Sequence, residues 1–392
     1  MTVLRDPIHG SIEMPSWSMP LLDAPVMQRL RRIQQLGTAH LVYPGAHHRR
    51  FEHSVGAQHL AGRIASRLGL APAEADTVRA AALLHDVGHG PFSHAFDELL
   101  REAGRRHEDV SVDLVRWGPL ADLLRQGGLD PVAVSDAIIG RGPTATLVSG
   151  PIDADRMDYL LRDAHYTGVP SSVDADRLIE VLARDDMHGI VLDESGIIAA
   201  EGLLAMRFLM YPAVYLHHTV RASEAMLQAA IRAHIASGAA RLADLERETD
   251  DGLLHRLRGA GAAEAELVAR LDERRLYKRA WEAGPQTANR DAILRLADDA
   301  KARAKVQAEV AADAGVEPHQ ALLDVPHPPR FREVAVQVRR RDGSLEPLAQ
   351  ASRLVAVLQE ARLDHWRAWV FAPKTLRERV TRPAARVLSA LS

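Results

Sequence analysis

The spacing of apolar positions predicts consecutive helices in the first half of the chain. Between residues 51 and 70, apolar residues recur at four- or five-residue steps and form one face: Val55, Leu60, Ile64 and Leu68. This spacing is typical of an amphipathic helix. Pro72 suits the first turn of a second helix that ends at Gly88, and Pro91 suits the start of a third that ends at Gly104. Short connections between such helices predict an all-α bundle.

The pattern changes after the proline-rich stretch at residues 325–329. Residues 331–340 alternate apolar and polar positions, which predicts a strand, and Asp342-Gly343 is typical of a hairpin turn. Residues 352–363 return to helical spacing, and residues 365–371 predict another strand. The C-terminal part of the chain therefore predicts a small α+β element.

Composition divides the chain into three predicted regions. Residues 1–230 hold nearly all the histidine-rich motifs, residues 231–315 are rich in Ala, Arg, Glu and Leu, and residues 316–392 form the α+β region. The predicted fold class is mainly α. It consists of a helical bundle that carries the chemistry, a helical extension and the small C-terminal α+β element.

Composition and charge exclude several kinds of site. The 392-residue chain is 47% hydrophobic and has a net charge of −3, so no global basic field indicates nucleic acid as a partner. Because the chain has no cysteine, disulfides, thiolate metal sites and cysteine nucleophiles are excluded. The N-terminal residues lack a signal-peptide pattern, and no apolar run approaches the roughly 18 residues of a membrane span. We expect a cytoplasmic protein without a membrane partner.

The string ALLHDVGHGPFSH carries the main chemical signal. Its His85 and Asp86 come at the end of an apolar helix, just before glycines, while His53 begins an earlier helix and Asp155 follows farther along the chain. Two imidazoles and two carboxylates suit a divalent metal (Mn, Mg, Fe, Ni or Zn) that keeps positions open for water and substrate. An isolated His-Asp pair usually has only a structural role. Here RFEHS precedes the pair and IDADRMDYLLRD follows it, and the three motifs in this order predict a hydrolytic metal centre.

A second polar group follows the His-Asp pair. His94 and Asp97 lie three residues apart on a predicted helix and share a face, so Asp97 would orient His94 as a proton donor to a leaving oxygen. The alternative is that Asp97 only caps or solvates the helix. His89 and His107 are candidates to contact phosphate oxygens. Arg50 is near enough in sequence to reach the same cavity, although spacing alone favours a solvated arginine.

These motifs resemble the HD-superfamily dNTP triphosphohydrolases, in the branch that contains the SAM-and-HD-domain dNTPases and their bacterial homologues. The segments that carry the resemblance follow one another in the family's order: DPIHGSIE (6–13), QRLRRIQQLG (28–37), YPGAHHRRFEHSVG (43–56), LLHDVGHGPFSH (83–94), IDADRMDYLLRDAHYTGV (152–169) and ERRLYKRA (273–280). The resemblance covers most of the chain and implies an HD-domain helical bundle. It also implies attack of water at the α-phosphorus of a dNTP, with release of a deoxynucleoside and intact triphosphate.

The resemblance implies roles for the matching positions. Metal ligands are expected at His53, His85, Asp86 and Asp155. Catalytic groups are expected at His94, Asp97, His89 and His107. Contacts with triphosphate, sugar or base are expected from Gln35, Leu36, Arg50, Arg156, Tyr159, Asp163, Arg207 and Tyr215. Of these, Tyr215 would exclude a ribose 2′ hydroxyl by crowding, and the arginines would pair with phosphate oxygens.

The resemblance also implies assembly that depends on nucleotide binding between subunits. The family's regulatory positions match Asp23, Gln28, Arg31, Arg177 and Arg274. Arg5 replaces a small polar residue, and Asp193 and Ser195 occupy a segment where cations would be expected, so activator binding should be weaker or changed. We expect a homo-oligomer, dimer or tetramer, with GTP or a dNTP as the candidate activator.

Two other function classes stay open from the residues alone. One is another HD phosphohydrolase that acts on nucleoside mono- or diphosphates, modified nucleotides or cyclic nucleotides, and that releases orthophosphate or opens a cyclic diester. The other is a non-catalytic nucleotide sensor or nucleic-acid-binding module. The complete ligand set and the presence of His94 and Asp97 disfavour this second class. Neither the resident metal nor the base preference follows from the sequence.

Overall fold

Helices form most of the computed structural model, which describes residues 2–142, 144–185 and 187–391. The helices are α1 (Ser18–Asp23), α2 (Pro25–Arg29), α3 (Arg50–Arg67), α4 (Pro72–Leu84), α5 (His94–Glu102), α6 (His107–Arg116), α7 (Pro119–Gln126), α8 (Pro131–Ile138), α9 (Thr146–Ser149), α10 (Ala154–Thr167), α11 (Ala175–Val181), α12 (Ile197–Met210), α13 (His218–Ala236), α14 (Leu242–Leu245), α15 (Asp250–Arg258), α16 (Ala262–Asp272), α17 (Arg290–Arg295), α18 (Ala300–Ala314), α19 (Leu348–Ala351), α20 (Arg353–Glu360) and α21 (Arg377–Ser389). The mainly α fold class is confirmed.

Short strands form small sheets at the edges of the helical body. The strands are β1 (Thr2–Asp6), β2 (Gly10–Met14), β3 (Leu182–Asp185), β4 (Gly189–Asp193), β5 (Lys278–Ala283), β6 (Leu322–Asp324), β7 (Gln337–Arg339), β8 (Leu345–Pro347) and β9 (Ala368–Ala372). β1 and β2 form an antiparallel hairpin. The other two sheets have the strand orders β3-β4-β7-β8 and β5-β9-β6.

The three helices that the apolar spacing predicts are present, with one shifted start. α3 buries Val55, Leu60 and Ile64 of the predicted face and packs against α4 and α10, while Leu68 is its half-buried C-cap. α4 begins at Pro72, but it ends at Leu84, so that the His-Asp pair lies at its exit. α5 begins at His94 rather than at Pro91, because Phe92 and Ser93 have positive φ angles of 55° and 41°, which a right-handed helix does not accommodate.

The three predicted regions share sheets and helices in the structure. α13 runs through the boundary expected at residue 230. β4, from the first region, pairs in parallel with β7, from the last, with Leu192 opposite Val338. The middle region is not purely helical, because its β5 pairs with β9. The strand expected over 331–340 is limited to Gln337–Arg339, since Arg332–Ala335 forms a 3-10 helix.

One helical stretch modifies the expectation about membrane spans. Glu194–Tyr215 is long and apolar enough to cross a membrane by length and composition, with a mean hydropathy of 1.5 over 18 residues. A core helix passes the same test. Leu203 and Met206 of this stretch are buried in the main core, and the buried Arg207 is paired with a carboxylate. The stretch ends in a π-helical turn, Tyr211–Tyr215.

The packing of α3 against α10 predicts opposite outcomes for two glycines of α3. A Cβ on Gly56 would lie 1.9 Å from Asp158 Oδ1 and 2.5 Å from Arg162 Nη2, whereas a Cβ on Gly62 would meet only the flexible side chain of Arg79, at 3.0 Å. Gly56→Ala should therefore lower the free energy of unfolding by about 1–3 kcal/mol through overpacking. Gly62→Ala, the control, should leave it unchanged or raise it by up to about 1 kcal/mol. Urea unfolding measures both, and equal values for the two variants would contradict the packing.

Candidate metal centre and active site

Three helix ends bring the predicted metal ligands together. His53 lies in the first turn of α3, and His85 caps the C-terminal end of α4 with Asp86 directly after it. Asp155 lies in the first turn of α10, whose N-terminus is capped by the side chain of Asp153. Residues at helix ends are fixed in position by the packing of whole helices. The ligand set therefore rests on a rigid frame.

The ligand atoms of His53, His85 and Asp86 all lie within 4.8 Å of one another, and Asp155 approaches both histidines. His53 Nε2 lies 3.3 Å from His85 Nε2 and 3.1 Å from Asp155 Oδ1. Asp86 Oδ2 lies 3.5 Å from His53 Nε2, and Asp86 Oδ1 lies 3.2 Å from His85 Nε2. Asp155 Oδ1 also lies 3.5 Å from His85 Nε2. Atoms that bind one cation at about 2 Å are spaced about 3 Å apart, so these residues fit a divalent metal.

Both histidines turn Nε2 toward this cluster because Nδ1 is bonded on the other side of each ring. His53 Nδ1 lies 2.8 Å from Asp158 Oδ2, and His85 Nδ1 donates to the carbonyl oxygen of Ala82 at 2.8 Å. Such partners fix the tautomer and the orientation of a ligand ring. Asp158 was not predicted from the sequence, although it lies three residues beyond Asp155 on the same helix.

Asp158 is held by a buried network of charges. Arg162 donates to both carboxylate oxygens of Asp158 at 2.9 Å, and His9 Nε2 lies 2.7 Å from Asp158 Oδ1. Arg162 also donates to Asp6 at 2.9 Å. Asp6 and His9 come from the N-terminal hairpin, which was not expected from the sequence. This hairpin therefore helps to hold Asp158, the partner of the ligand His53, in place.

The carboxylates make the centre strongly negative. Burial opposes a charge on His53, but hydrogen bonds with Asp155 and Asp158 outweigh it and raise the pKa of His53 to about 10. Burial also opposes a charge on His85, but Asp86 and Asp155 raise the pKa of His85 as well. A divalent cation would neutralise the same excess of negative charge that draws protons onto these rings. The electrostatics therefore agree with the fit of the ligand atoms.

His89 and His107 form a stacked pair beside the metal ligands, with ring centroids 3.6 Å apart. Asp97 lies against both rings, with Oδ1 3.2 Å from His89 Nδ1 and Oδ2 3.3 Å from His107 Nδ1. His89 Nε2 lies 3.2 Å from Asp86 Oδ1. Burial opposes a charge on His107, but Asp97 raises the pKa of His107 to about 9. This pKa favours the charged form of His107 at neutral pH, which suits a contact with a phosphate oxygen.

The expected pairing of His94 with Asp97 is absent from the part of the chain that the structure describes. The Asp97 carboxylate instead contacts the two stacked histidines, because they approach it from outside α5. The ring of His94 reaches solvent. Nevertheless, the surrounding protein and then the charge of Arg50 lower the pKa of His94 to about 4. His94 is therefore neutral at pH 7 in the free protein, with Asp97 acting on it only through space.

The residues expected at the sugar and the base are largely buried. Asp163 Oδ1 lies 2.8 Å from His48 Nε2, and Tyr215 donates its hydroxyl hydrogen to Asp163 Oδ2 at 2.7 Å. Gln35 and Leu36 are both buried. Among the described residues, Gln35 Oε1 has no hydrogen-bond partner. His48 was missed by sequence analysis, although its string, AHHRRFEH, contains several histidines.

The three arginines expected at the phosphates are all paired with carboxylates. Arg50 lies 2.5 Å from Asp86 Oδ2 and donates to Ser93 Oγ at 2.6 Å. Arg156 and Arg207 both contact Glu333, which lies far along the sequence and was not predicted as a site residue. Tyr159 completes this side of the site: its hydroxyl is buried and in electrostatic contact with Arg207, Arg156 and Asp155, and burial raises its pKa.

The residues expected at the regulatory site form contacts with several different elements of the fold. Arg31 donates to Gln28 at 3.0 Å and lies over the ring of Phe51 at 3.6 Å. Arg274 donates to the carbonyl oxygen of Leu41 at 2.7 Å. Further contacts join Arg177 to Glu180 and to the Ser195 carbonyl, Asp193 to Arg339, and Arg5 to Ser11. Asp23 ends α1. Whether these positions bind an activator stays a prediction.

Two family models match the chain. The HD domain matches residues 50–124, which include three of the four predicted ligands. The HD associated region matches residues 173–391, more than half of the 392-residue chain.

Several curated proteins are similar in sequence. The uncharacterized protein MJ1154 of Methanocaldococcus jannaschii is 36% identical over 282 residues, which cover 71% of this chain and 59% of that protein. The deoxynucleoside triphosphate triphosphohydrolase SAMHD1 homolog of Dictyostelium discoideum is 32% identical, over 57% of this chain and 48% of that protein. Human SAMHD1 is 36% identical, over 46% of this chain and 36% of that protein. The chain thus spans about half the length of the relatives that it matches.

Solved structures with the same fold extend over nearly the whole chain. A phosphohydrolase from Bacteroides thetaiotaomicron has a TM-score of 0.76 and 25% identity, with 95% of this chain and 100% of that chain covered. A hypothetical protein from Aquifex aeolicus has a TM-score of 0.79 and 27% identity, with 97% and 99% covered.

The contact between His53 and Asp158 predicts a role for Asp158 in metal affinity. Asp158→Asn should raise the dissociation constant for Mn²⁺ by about 10- to 100-fold, because the His53 ring loses the partner that orients it. Isothermal titration of Mn²⁺ into chelator-treated protein measures this change. Asp176→Asn is the control, since Asp176 is exposed and its ion pair within the described ranges is with Arg63. Equal affinity in both variants would show that Asp158 does not orient the ligand.

Proposed function

The chain belongs to the family of HD-domain proteins that carry an HD-associated region, and on that premise we propose that it is a metal-dependent dNTP triphosphohydrolase. In the proposed reaction, water attacks the α-phosphorus of a dNTP, and a deoxynucleoside and triphosphate are released. The observation that carries the proposal is the cluster of His53, His85 and Asp86, with Asp155 against both histidines and the cationic Arg50 against Asp86. The similarity to SAMHD1 proteins supports a nucleotide substrate.

The metal would be held by His53, His85, Asp86 and Asp155. When bound, the cation would polarise a phosphate oxygen and lower the pKa of a water molecule. Arg50, which lies 2.5 Å from Asp86, would present its guanidinium to the same phosphate. The positive charge of His107, held beside Asp97, would face the phosphates from the other side.

His94 would deliver the proton that the leaving group needs. As the bond between the α-phosphorus and the 5′ oxygen breaks, the water oxygen stays on the triphosphate and His94 donates a proton to the 5′ oxygen. In the free protein the pKa of His94 is lowered to about 4. A bound polyanion favours the charged form of a nearby histidine, so substrate binding itself would charge His94.

The sugar side would select a deoxyribose. The buried Gln35 Oε1 lacks a partner among the described residues, so it would accept a hydrogen bond from the 3′ hydroxyl. Tyr215 donates its hydroxyl hydrogen to Asp163 at 2.7 Å. This bond would hold the tyrosine ring where it excludes a 2′ hydroxyl by crowding. His48 would position Asp163 from the buried side.

Product analysis tests the proposed reaction. The protein is incubated with each dNTP and with Mn²⁺ or Mg²⁺, with a chelator-treated sample as the control, and the products are separated. Deoxynucleoside and triphosphate are the expected products. Release of orthophosphate would overturn the proposal and favour another HD phosphohydrolase reaction.

Loss of one ligand should remove both metal and turnover. Asp155→Ala deletes one of the four ligands, so bound metal should fall and dNTP cleavage should drop below detection. Metal analysis and product separation measure the two effects. Asp176→Ala, on the exposed surface, serves as the control. Full turnover in Asp155→Ala would refute the metal centre.

Loss of the proton donor should separate metal binding from rate. His94→Ala should keep its metal content, while kcat falls by about 10²- to 10⁴-fold, the usual contribution of general acid catalysis. Steady-state kinetics and metal analysis on the same preparation measure both quantities. An unchanged kcat would show that a group other than His94 donates the proton to the 5′ oxygen.

A further inference from the structure

A buried carboxylate lies between two of the arginines that we expect at the phosphates. Glu333 is 1% exposed and belongs to the 3-10 helix Arg332–Ala335. Its Oε1 lies 2.9 Å from Arg156 Nε and accepts a hydrogen bond from Arg207 Nη1. Its other oxygen, Oε2, is buried without a hydrogen-bond partner in the described part of the chain. One negative group is therefore shared by two guanidinium groups, of which Arg156 also pairs with Asp153.

This cluster borders the metal centre. Arg156 follows the ligand Asp155 directly on α10. The charges of Arg156, Arg207 and Asp155 all influence the pKa of the Tyr159 hydroxyl, so the arginines and this ligand belong to one electrostatic neighbourhood. Glu333 thus lies against the two arginines that are expected to hold the phosphate chain.

Carboxylate and phosphate groups bind guanidinium in the same way, through two acceptor oxygens. A phosphate at Arg156 and Arg207 would also bring a second negative charge next to Glu333 in a buried place, where like charges repel strongly. The two anions therefore exclude each other. The other oxygen, Oε2, makes no hydrogen bond in the described part of the chain, and a buried acceptor without a partner destabilises the position of Glu333. This makes Glu333 easier to displace from the arginines.

We propose that Glu333 is a specificity-determining residue that competes with the substrate's phosphate chain for Arg156 and Arg207; this inference rests on the proposed function. A short phosphate chain that reaches only the metal centre leaves Glu333 in place. A long chain reaches the arginines and must displace it. Glu333 thus weakens the binding of long chains, both as substrate and as triphosphate product, and leaves short chains unaffected.

The chain keeps this competitor close to the arginines. β7 begins shortly after Glu333 and pairs with β4, and the ring of Phe331 packs against Phe208 with centroids 6.2 Å apart. A tethered group competes at a high effective concentration. A displaced Glu333 therefore returns readily, which would help to expel triphosphate after each reaction.

Charge removal at Glu333 tests the competition without any turnover. Glu333→Gln keeps the size of the side chain and removes its charge. Inorganic tripolyphosphate is titrated into Mn²⁺-loaded protein by calorimetry, and the variant should bind it at least about tenfold more tightly, because Arg207 is then free in a larger fraction of molecules. Orthophosphate affinity should change by less than about twofold. Glu346→Gln is the matched control, since Glu346 is half-buried and pairs with Arg340 on the neighbouring hairpin.

Two further variants complete the test. Arg207→Gln in the Glu333→Gln background should abolish the gain in tripolyphosphate affinity. If Glu333→Gln does not fold, Glu333→Asp, which withdraws the carboxylate by one methylene, should still bind tripolyphosphate more tightly than the unaltered protein. Equal or weaker binding in the folded Glu333 variants would overturn the competition and leave Glu333 as a support for the arginines. Because no nucleotide is used, failure of dNTP cleavage in the product assay is a separate result.

Discussion

The buried charge of Asp158 determines both the geometry of the metal centre and the packing around it. Its carboxylate oxygens form hydrogen bonds of 2.7 to 2.9 Å with His53, His9 and Arg162. A buried ion pair stabilises a fold only where hydrogen bonds satisfy the remaining polar atoms, and the carboxylate of Asp158 meets that condition. The orientation of His53 therefore depends on α10 and on the N-terminal hairpin as much as on α3. A metal ligand of one helix is positioned by a charge on another.

The two sides of the cavity are built from different interactions. On the sugar side, Asp163 links His48 and Tyr215, and Gln35 keeps an unpaired acceptor. These directed contacts suit the recognition of hydroxyl groups at fixed positions. On the phosphate side, arginines are paired with carboxylates of the protein. Any anion that binds there has to exchange with a partner that is already present, so affinity on this side is a difference between two strong interactions.

The sequence predicted the parts of the site that depend on local order. His53 and His85 lie at helix ends that the sequence pattern identifies, Asp155 follows from its motif, and the structure brings their ligand atoms together. The predicted pairing of Asp97 with His94 is not seen, because His89 and His107, which lie outside α5, are closer to the Asp97 carboxylate. Glu333 could not be predicted, since its contact with Arg207 depends on the docking of a distant segment. The pairing of β5 with β9 was missed for the same reason.

The parallel pairing of β4 with β7 makes the phosphate side a late event in synthesis on the ribosome. β4 ends at Asp193, whereas its partner strand lies at Gln337–Arg339. A growing chain therefore contains all four metal ligands, and Arg207 as well, long before Glu333 has been translated. Until then the two arginines lack the carboxylate that they share in the finished protein. The order of translation thus separates the assembly of the metal centre from the pairing of Arg156 and Arg207 with Glu333.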